Sequence, residues 1–120
     1  WPGPLSLVLP GAAILAPDVL GKDGTVAVRW TSHPVAAALA LAAGFPIVST
    51  SANLSGAKAQ RYASEALSSL GSRESVFILD GGPTRGGLPS TLVDVTGTEL
   101  RIVRAGAIDE RSLRAALGLP

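Results

Sequence analysis

Apolar positions in this chain come as short bursts of two kinds, β-branched runs bounded by Gly and Pro, and Ala/Leu-rich runs bounded by helix-stop residues. Leu5-Ser6-Leu7-Val8-Leu9, closed by Pro10 and Gly11, predicts a strand. Thr25-Val26-Ala27-Val28-Arg29 alternates, which puts Val26 and Val28 on a core face and Thr25, Ala27 and Arg29 on the other. Between them, Gly21-Lys22-Asp23-Gly24 has the composition of a hairpin connection. Phe45-Pro46-Ile47-Val48 and Val76-Phe77-Ile78-Leu79 predict further buried strands, and Thr91 to Val95 and Leu100 to Arg104 two more.

Three segments carry helix signals instead. Ser32-His33-Pro34 offers a cap and a first-turn proline before an almost purely Ala, Leu and Val run ending at Gly44, and a helix that apolar should be covered on most sides. A second helix is expected from Tyr62 or Ala63 to Leu70, stopped by Gly71. The third begins at Asp109 as N-cap, with Ile108 and Leu113 spaced as a hydrophobic staple and Gly118 as the stop. Strands and helices mix without strict alternation, so the expected class is α/β, a mixed twisted sheet with flanking helices in one domain.

Composition narrows the classes. With 120 residues the chain suits a single core, and no apolar run approaches the roughly 18 residues that cross a bilayer. No signal-peptide pattern opens the chain, and zero cysteines exclude disulfides and thiolate metal sites, which together fit a cytoplasmic protein with no membrane partner. Ten Lys and Arg against nine Asp and Glu are too balanced to announce nucleic acid by long-range field. The absence of an initiating Met before Trp1 reads as a piece of something longer.

The densest candidate chemistry is Ser49-Thr50-Ser51-Ala52-Asn53-Leu54-Ser55-Gly56, a cluster of hydroxyls with an amide and a glycine at the end of an expected strand. On composition alone its simplest reading is a capped turn, Ser and Asn satisfying their own backbone. Arg29 and Arg104 each close an apolar strand, where a guanidinium clamps carboxylate or phosphate or simply lies on the surface. Ser90 donates to an anion or starts a strand. His33 has no acid at an obvious pairing distance, and Asp80 before Gly81-Gly82-Pro83 is a turn former. P-loop, Gly-x-Gly-x-x-Gly and Gly-x-Ser-x-Gly patterns are absent. Hydroxyls and arginines without thiol, metal cage or proton-transfer pair suit binding and neutralisation of anionic groups better than covalent catalysis.

Six segments in order resemble the YrdC-like family of L-threonylcarbamoyladenylate synthases: Trp1-Pro2-Gly3-Pro4-Leu5-Ser6-Leu7, Val26-Ala27-Val28-Arg29 before His33-Pro34, Ser49 to Gly56, Leu79-Asp80-Gly81-Gly82-Pro83, Ser90-Thr91-Leu92-Val93-Asp94 and Arg104-Ala105-Gly106. The resemblance implies a YrdC-like fold, with residues 1–120 as the carboxyl-terminal portion of a single domain. It implies a parent enzyme that joins L-threonine, bicarbonate or CO2, and ATP into threonylcarbamoyl-AMP with release of pyrophosphate. A downstream transferase would then place the threonylcarbamoyl group on tRNA adenosine. Carried over by motif, Thr25, Ser51 and Arg104 are nucleotide contacts, Asn53 belongs to the same nucleotide-side signature, and Arg29, Ser49 and Ser90 are threonine contacts. Mg2+ is expected with ATP, held by phosphates and water.

The chain departs from the pattern at Trp30-Thr31, where an apolar residue and proline usually follow the arginine, at Ala59 in place of a nucleotide-touching serine, and at Ala105 in place of proline. Family members also carry, ahead of the Trp-Pro-Gly-Pro turn, a first half with a Lys-x-Arg motif, so this chain by itself is expected to be catalytically incompetent. Two other functions are compatible with the resemblance: a double-stranded RNA or tRNA-binding module, and the carbamoyl-transfer domain of hydrogenase-maturation proteins.

Overall fold

The computed structural model describes residues 1–71 and 76–119. They form two compact units, Trp1–Pro46 with Leu88–Pro120, and Ile47–Gly87.

The first unit is built on a four-stranded mixed sheet of β1 (Leu5–Pro10), β2 (Thr25–Arg29), β3 (Thr91–Asp94) and β4 (Arg101–Arg104), in the order β2-β1-β3-β4. β1 runs antiparallel to β2 and parallel to β3, and β3 runs antiparallel to β4. The predicted hairpin connection forms as a tight turn: the Gly24 N–H donates to the Gly21 carbonyl at 2.9 Å, and Gly24 adopts φ 69, a left-handed value that glycine reaches without a Cβ clash.

Alternation assigns the faces as expected. Leu7 pairs with Val28 and Val93, and Val93, only 1% exposed, is the most deeply buried apolar side chain described. Thr91, on the same face and fully buried, satisfies its hydroxyl twice at the segment before the last helix. Its Oγ1 donates to the Ile108 carbonyl at 2.6 Å and accepts from the Ile108 N–H at 2.9 Å. That helix, α3 (Glu110–Ala116), starts where the sequence places it, with the Asp109 carboxylate accepting from the Ser112 N–H at 2.8 Å. Its Leu113 is buried.

Helix α1 (Pro34–Ala43) has the predicted first-turn proline and ends at Gly44 with φ 73. Its start differs from expectation: neither Ser32 nor His33 makes a side-chain cap, and the Thr31 hydroxyl instead accepts from the His33 N–H at 3.1 Å. The expected cover is also incomplete. No residue of α1 is fully buried: Val35, Ala37, Ala40 and Ala43 are half-buried, while Leu39 and Leu41 are 50% and 82% exposed, so its apolar character is covered only in part among the described residues.

In the second unit, α2 (Ala63–Leu70) is the only helix among the described residues and matches the predicted span. The Glu65 carboxylate closes its first turn by accepting from the N–H groups of Arg61 and Tyr62. Phe45-Pro46-Ile47-Val48 and Val76-Phe77-Ile78-Leu79, expected as buried strands, are not strands, and most of their apolar side chains lie open, Val48 at 78% and Phe77 at 92% exposed. A β-branched run becomes a strand only when a neighbouring strand takes up its backbone N–H and C=O groups, and neither run finds one among the described residues. No helix among those residues is long and apolar enough to cross a membrane.

Candidate functional site

β2 and β4, the two outer strands, both end in arginine at the same end of the sheet. Arg29 pairs with Ser6, Ser6 with Leu92, and Leu92 with Arg104, so one row across all four strands is bounded by two guanidinium groups. Residues in such a row share a face. The chain has two ways of fixing these arginines. The Arg29 Nε donates to the Gly3 carbonyl at 3.0 Å, and the Gly3 N–H donates to the Trp30 carbonyl at 2.9 Å, so the Trp-Pro-Gly-Pro turn is tied to the end of β2. Arg104 Nη2 donates to the Ser90 carbonyl at 2.8 Å and to the Ser90 hydroxyl at 3.1 Å.

Ser90 is buried, and its hydroxyl lies 2.8 Å from that of Ser6, which is buried as well. Both arginines are exposed, and among the described residues their remaining N–H groups have no hydrogen-bond partner. The arrangement therefore offers uncommitted positive charge to an incoming anion while holding each guanidinium by one edge.

Gly106 makes the Arg104–Ser90 contact possible. A Cβ there would stand 2.4 Å from the Pro89 carbonyl oxygen and the Thr91 nitrogen, so the segment after β4 lies against the backbone that carries Ser90. The Ala107 N–H donates to the Pro89 carbonyl at 2.9 Å and fastens that approach. Thr25 stands apart: it pairs with Pro10 at the other end of β2, roughly 13 Å along the strand from Arg29.

Ser49, Ser51 and Asn53 belong to the second unit, where Ser49 and Ser51 are exposed and Asn53 shapes the loop. The Asn53 Nδ2 donates to the Leu54 carbonyl at 2.8 Å and to the Ala57 carbonyl at 3.0 Å, while its Oδ1 is buried without a hydrogen-bond partner among the described residues. The capped-turn alternative therefore holds for Asn53, whose donors serve its own backbone. Beyond this loop, Ala52, Arg61, Tyr62, Phe77 and Thr84 line a cavity of about 240 Å³. Arg61 braces that cavity by donating Nε and Nη2 to the Thr84 carbonyl at 3.1 and 3.0 Å.

Neither Ser6 nor Arg61 stood out as a candidate in the sequence. A serine inside a Leu/Val strand is a buried-polar anomaly that flags Ser6, whereas nothing in the local pattern around Arg61 announces its reach to Thr84. Carboxylates play structural parts instead. Arg101 and the hydroxyl and N–H of Thr96 hold the Asp94 carboxyl down at about 2, and the Ser112 N–H and hydroxyl hold Asp109 below the usual carboxylate range. No group of three metal-ligating side chains occurs among the described residues.

The chain is an α/β domain whose mixed sheet carries two arginines and two buried serine hydroxyls at one end. The chain belongs to the Sua5/YciO/YrdC family, described under telomere recombination, which residues 1–106 match. It is 40% identical to a protein of Mycobacterium tuberculosis named putative threonylcarbamoyl-AMP synthase, over 99% of this chain and 54% of that protein. It is 38% identical to the threonylcarbamoyl-AMP synthase of Bacillus subtilis, over 98% of this chain and 34% of that one. Among solved structures, P. abyssi Sua5 complexed with L-threonine superposes with a TM-score of 0.87 at 34% identity, covering 98% of this chain and 34% of the other. The chain thus spans between about a third and about half of these relatives.

Proposed function

We propose that this chain is the carboxyl-terminal portion of a threonylcarbamoyl-AMP synthase domain, carrying contacts to L-threonine and to the nucleotide. In the reaction, L-threonine, bicarbonate and ATP give threonylcarbamoyl-AMP, pyrophosphate and water. Arg29 and Ser90, with Ser49, take the amino acid; Arg104, Ser51 and Thr25 take the nucleotide; Asn53 keeps the Ser49-to-Gly56 loop in shape. The observation that carries this assignment is the Arg104–Ser90 contact, a guanidinium held to a buried serine with its other donors unpartnered among the described residues, in one row with Arg29. The names of the relatives support the enzyme reading.

Chemically, the site works by placement and charge. Arginines neutralise a carboxylate and a phosphate that would otherwise repel each other, and hydroxyls fix their orientation, so the carbamate oxygen meets the α-phosphorus of ATP without a protein nucleophile. The donor set of arginines and hydroxyls suits anionic oxygens. Mg2+ would enter with ATP, on phosphate oxygens and water. The product is an activated acyl group for a downstream transferase acting on tRNA.

Pyrophosphate release dependent on both threonine and ATP tests the proposal. The chain alone should show none, and a chimera joining it to the part of the M. tuberculosis relative that it lacks should show turnover. Turnover by the isolated chain, or a well-folded chimera without any, would contradict it.

A further inference from the structure

Ser6 has no assigned role, yet it is one of the few buried polar side chains described, and its hydroxyl touches only the Ser90 hydroxyl, at 2.8 Å. Either hydroxyl can donate across this contact, so its neighbours decide where the protons go. A serine hydroxyl has one proton and two acceptor positions. The Ser90 oxygen already accepts from Arg104 Nη2 at 3.1 Å. A buried hydroxyl that leaves its proton unused loses the compensation for its desolvation, and Ser6 and Ser90 are equally buried, so both protons are used only when Ser6 donates to Ser90 and Ser90 donates to an oxygen of a bound ligand. With Ser6 donating, both acceptor positions of Ser90 are filled, one by a serine and one by a guanidinium.

We propose that Ser6 is a positioning residue that sets the polarity of Ser90, making it a hydrogen-bond donor dedicated to an anionic oxygen of the ligand. In the opposite orientation Ser90 would give its proton to Ser6 and keep a lone pair for an ammonium or hydroxyl donor. Because Ser6 donates, Ser90 meets the carboxylate of the amino acid and not its ammonium. Arg104 strengthens the choice, since its positive charge beside Ser90 favours a negative group there and disfavours a second cation. Ser6 does this without touching the ligand.

The inference rests on the amino-acid site proposed above, and its test separates the two. In the free chain, three-bond Hα–Hβ couplings report the Ser90 side-chain rotamer. They should show a single rotamer in the wild type and in Ser6→Thr, which keeps the hydroxyl, and averaging in Ser6→Ala, with the sheet amide pattern preserved in all three. A single Ser90 rotamer in Ser6→Ala, or an averaged one in the wild type, would overturn the positioning role whatever binds. Titration with L-threonine and with L-threoninamide, which lacks the carboxylate, reads the polarity. Wild type and Ser6→Thr should prefer threonine by about tenfold, and Ser6→Ala should lose most of that preference. An equal preference in Ser6→Ala counts against Ser6. A wild type that locks Ser90 but binds neither compound overturns the amino-acid site, and the role of Ser6 toward it.

Discussion

Arg104 Nη2 donates to both the carbonyl and the hydroxyl of Ser90, 14 residues earlier in the chain, at 2.8 and 3.1 Å. One nitrogen thus fixes the end of β4 against the start of β3 and leaves the rest of the guanidinium toward solvent. Two segments 14 residues apart in the chain form one edge of contact at the end of the sheet.

That edge depends on Gly106 having no side chain. Gly106→Ala would drive a methyl to within 2.4 Å of the Pro89 and Thr91 backbone atoms, contacts that only backbone movement relieves. Overpacking of this kind costs about 1–3 kcal/mol. Urea unfolding should show a loss of that order, with the Ser90 and Arg104 amide resonances shifted most. Wild-type stability and unshifted resonances would mean that the close approach is not maintained in solution.

Thr91 tests the other anchor of the same edge. Thr91→Val keeps the volume but strands the Ile108 N–H and carbonyl, both now paired with the buried hydroxyl. A buried polar group left without its partner costs about 1–3 kcal/mol, so Thr91→Val should melt below the wild type and Thr91→Ser close to it. Equal melting of Thr91→Val and wild type would show that water replaces the hydroxyl there.

Acid sensitivity should reside in Asp94. The Arg101 guanidinium and Thr96 hold its folded pKa near 2, below the value near 3.8 of a free aspartate, so it binds its proton more readily when the chain unfolds. Its contribution to stability is complete above about pH 4 and declines as the pH falls toward 2. Denaturation between pH 5 and 2 should therefore be less steep for Asp94→Asn than for the wild type. Asp109, lowered by the Ser112 N–H and hydroxyl, adds a dependence of the same sign that persists in that variant. An unchanged acid profile in Asp94→Asn would exclude the Arg101 pairing in solution, where the exposed guanidinium competes with water.

Much of this architecture was legible because its cues are local. Alternation in Thr25–Arg29, Asp109 ahead of an apolar stripe, and glycines at Gly24 and Gly44 each specify backbone geometry within a few residues, and the structure follows them. Phe45-Pro46-Ile47-Val48 and Val76-Phe77-Ile78-Leu79 misled because strand formation is a property of a pair, and composition cannot supply the partner. The apolar run in α1 misled similarly, since its composition implies a cover without identifying one. For the site, the motifs marked Arg29, Ser90 and Arg104, but the hydroxyl contact from Ser6 spans 84 positions and is visible only once β1 lies beside β3.

Asn53 gives a loop-level check on what its motif does. Asn53→Asp would point an acceptor at the Leu54 and Ala57 carbonyls, where the amide now donates at 2.8 and 3.0 Å. Repulsion should open the loop, seen as faster proteolysis within 49–57 while α2 keeps its amide protection. Equal proteolysis of variant and wild type would show that the amide does not hold the loop.

Recognition of substrate by a planar, two-point guanidinium at the Arg104–Ser90 edge is tested most directly by the effect of Arg104→Lys on pyrophosphate release by the active chimera. Lysine keeps the charge but cannot hold Ser90 with one nitrogen while presenting another to an anion, so turnover should fall by about tenfold or more with the melting temperature nearly unchanged. Turnover at the wild-type rate in Arg104→Lys would contradict that mode of recognition.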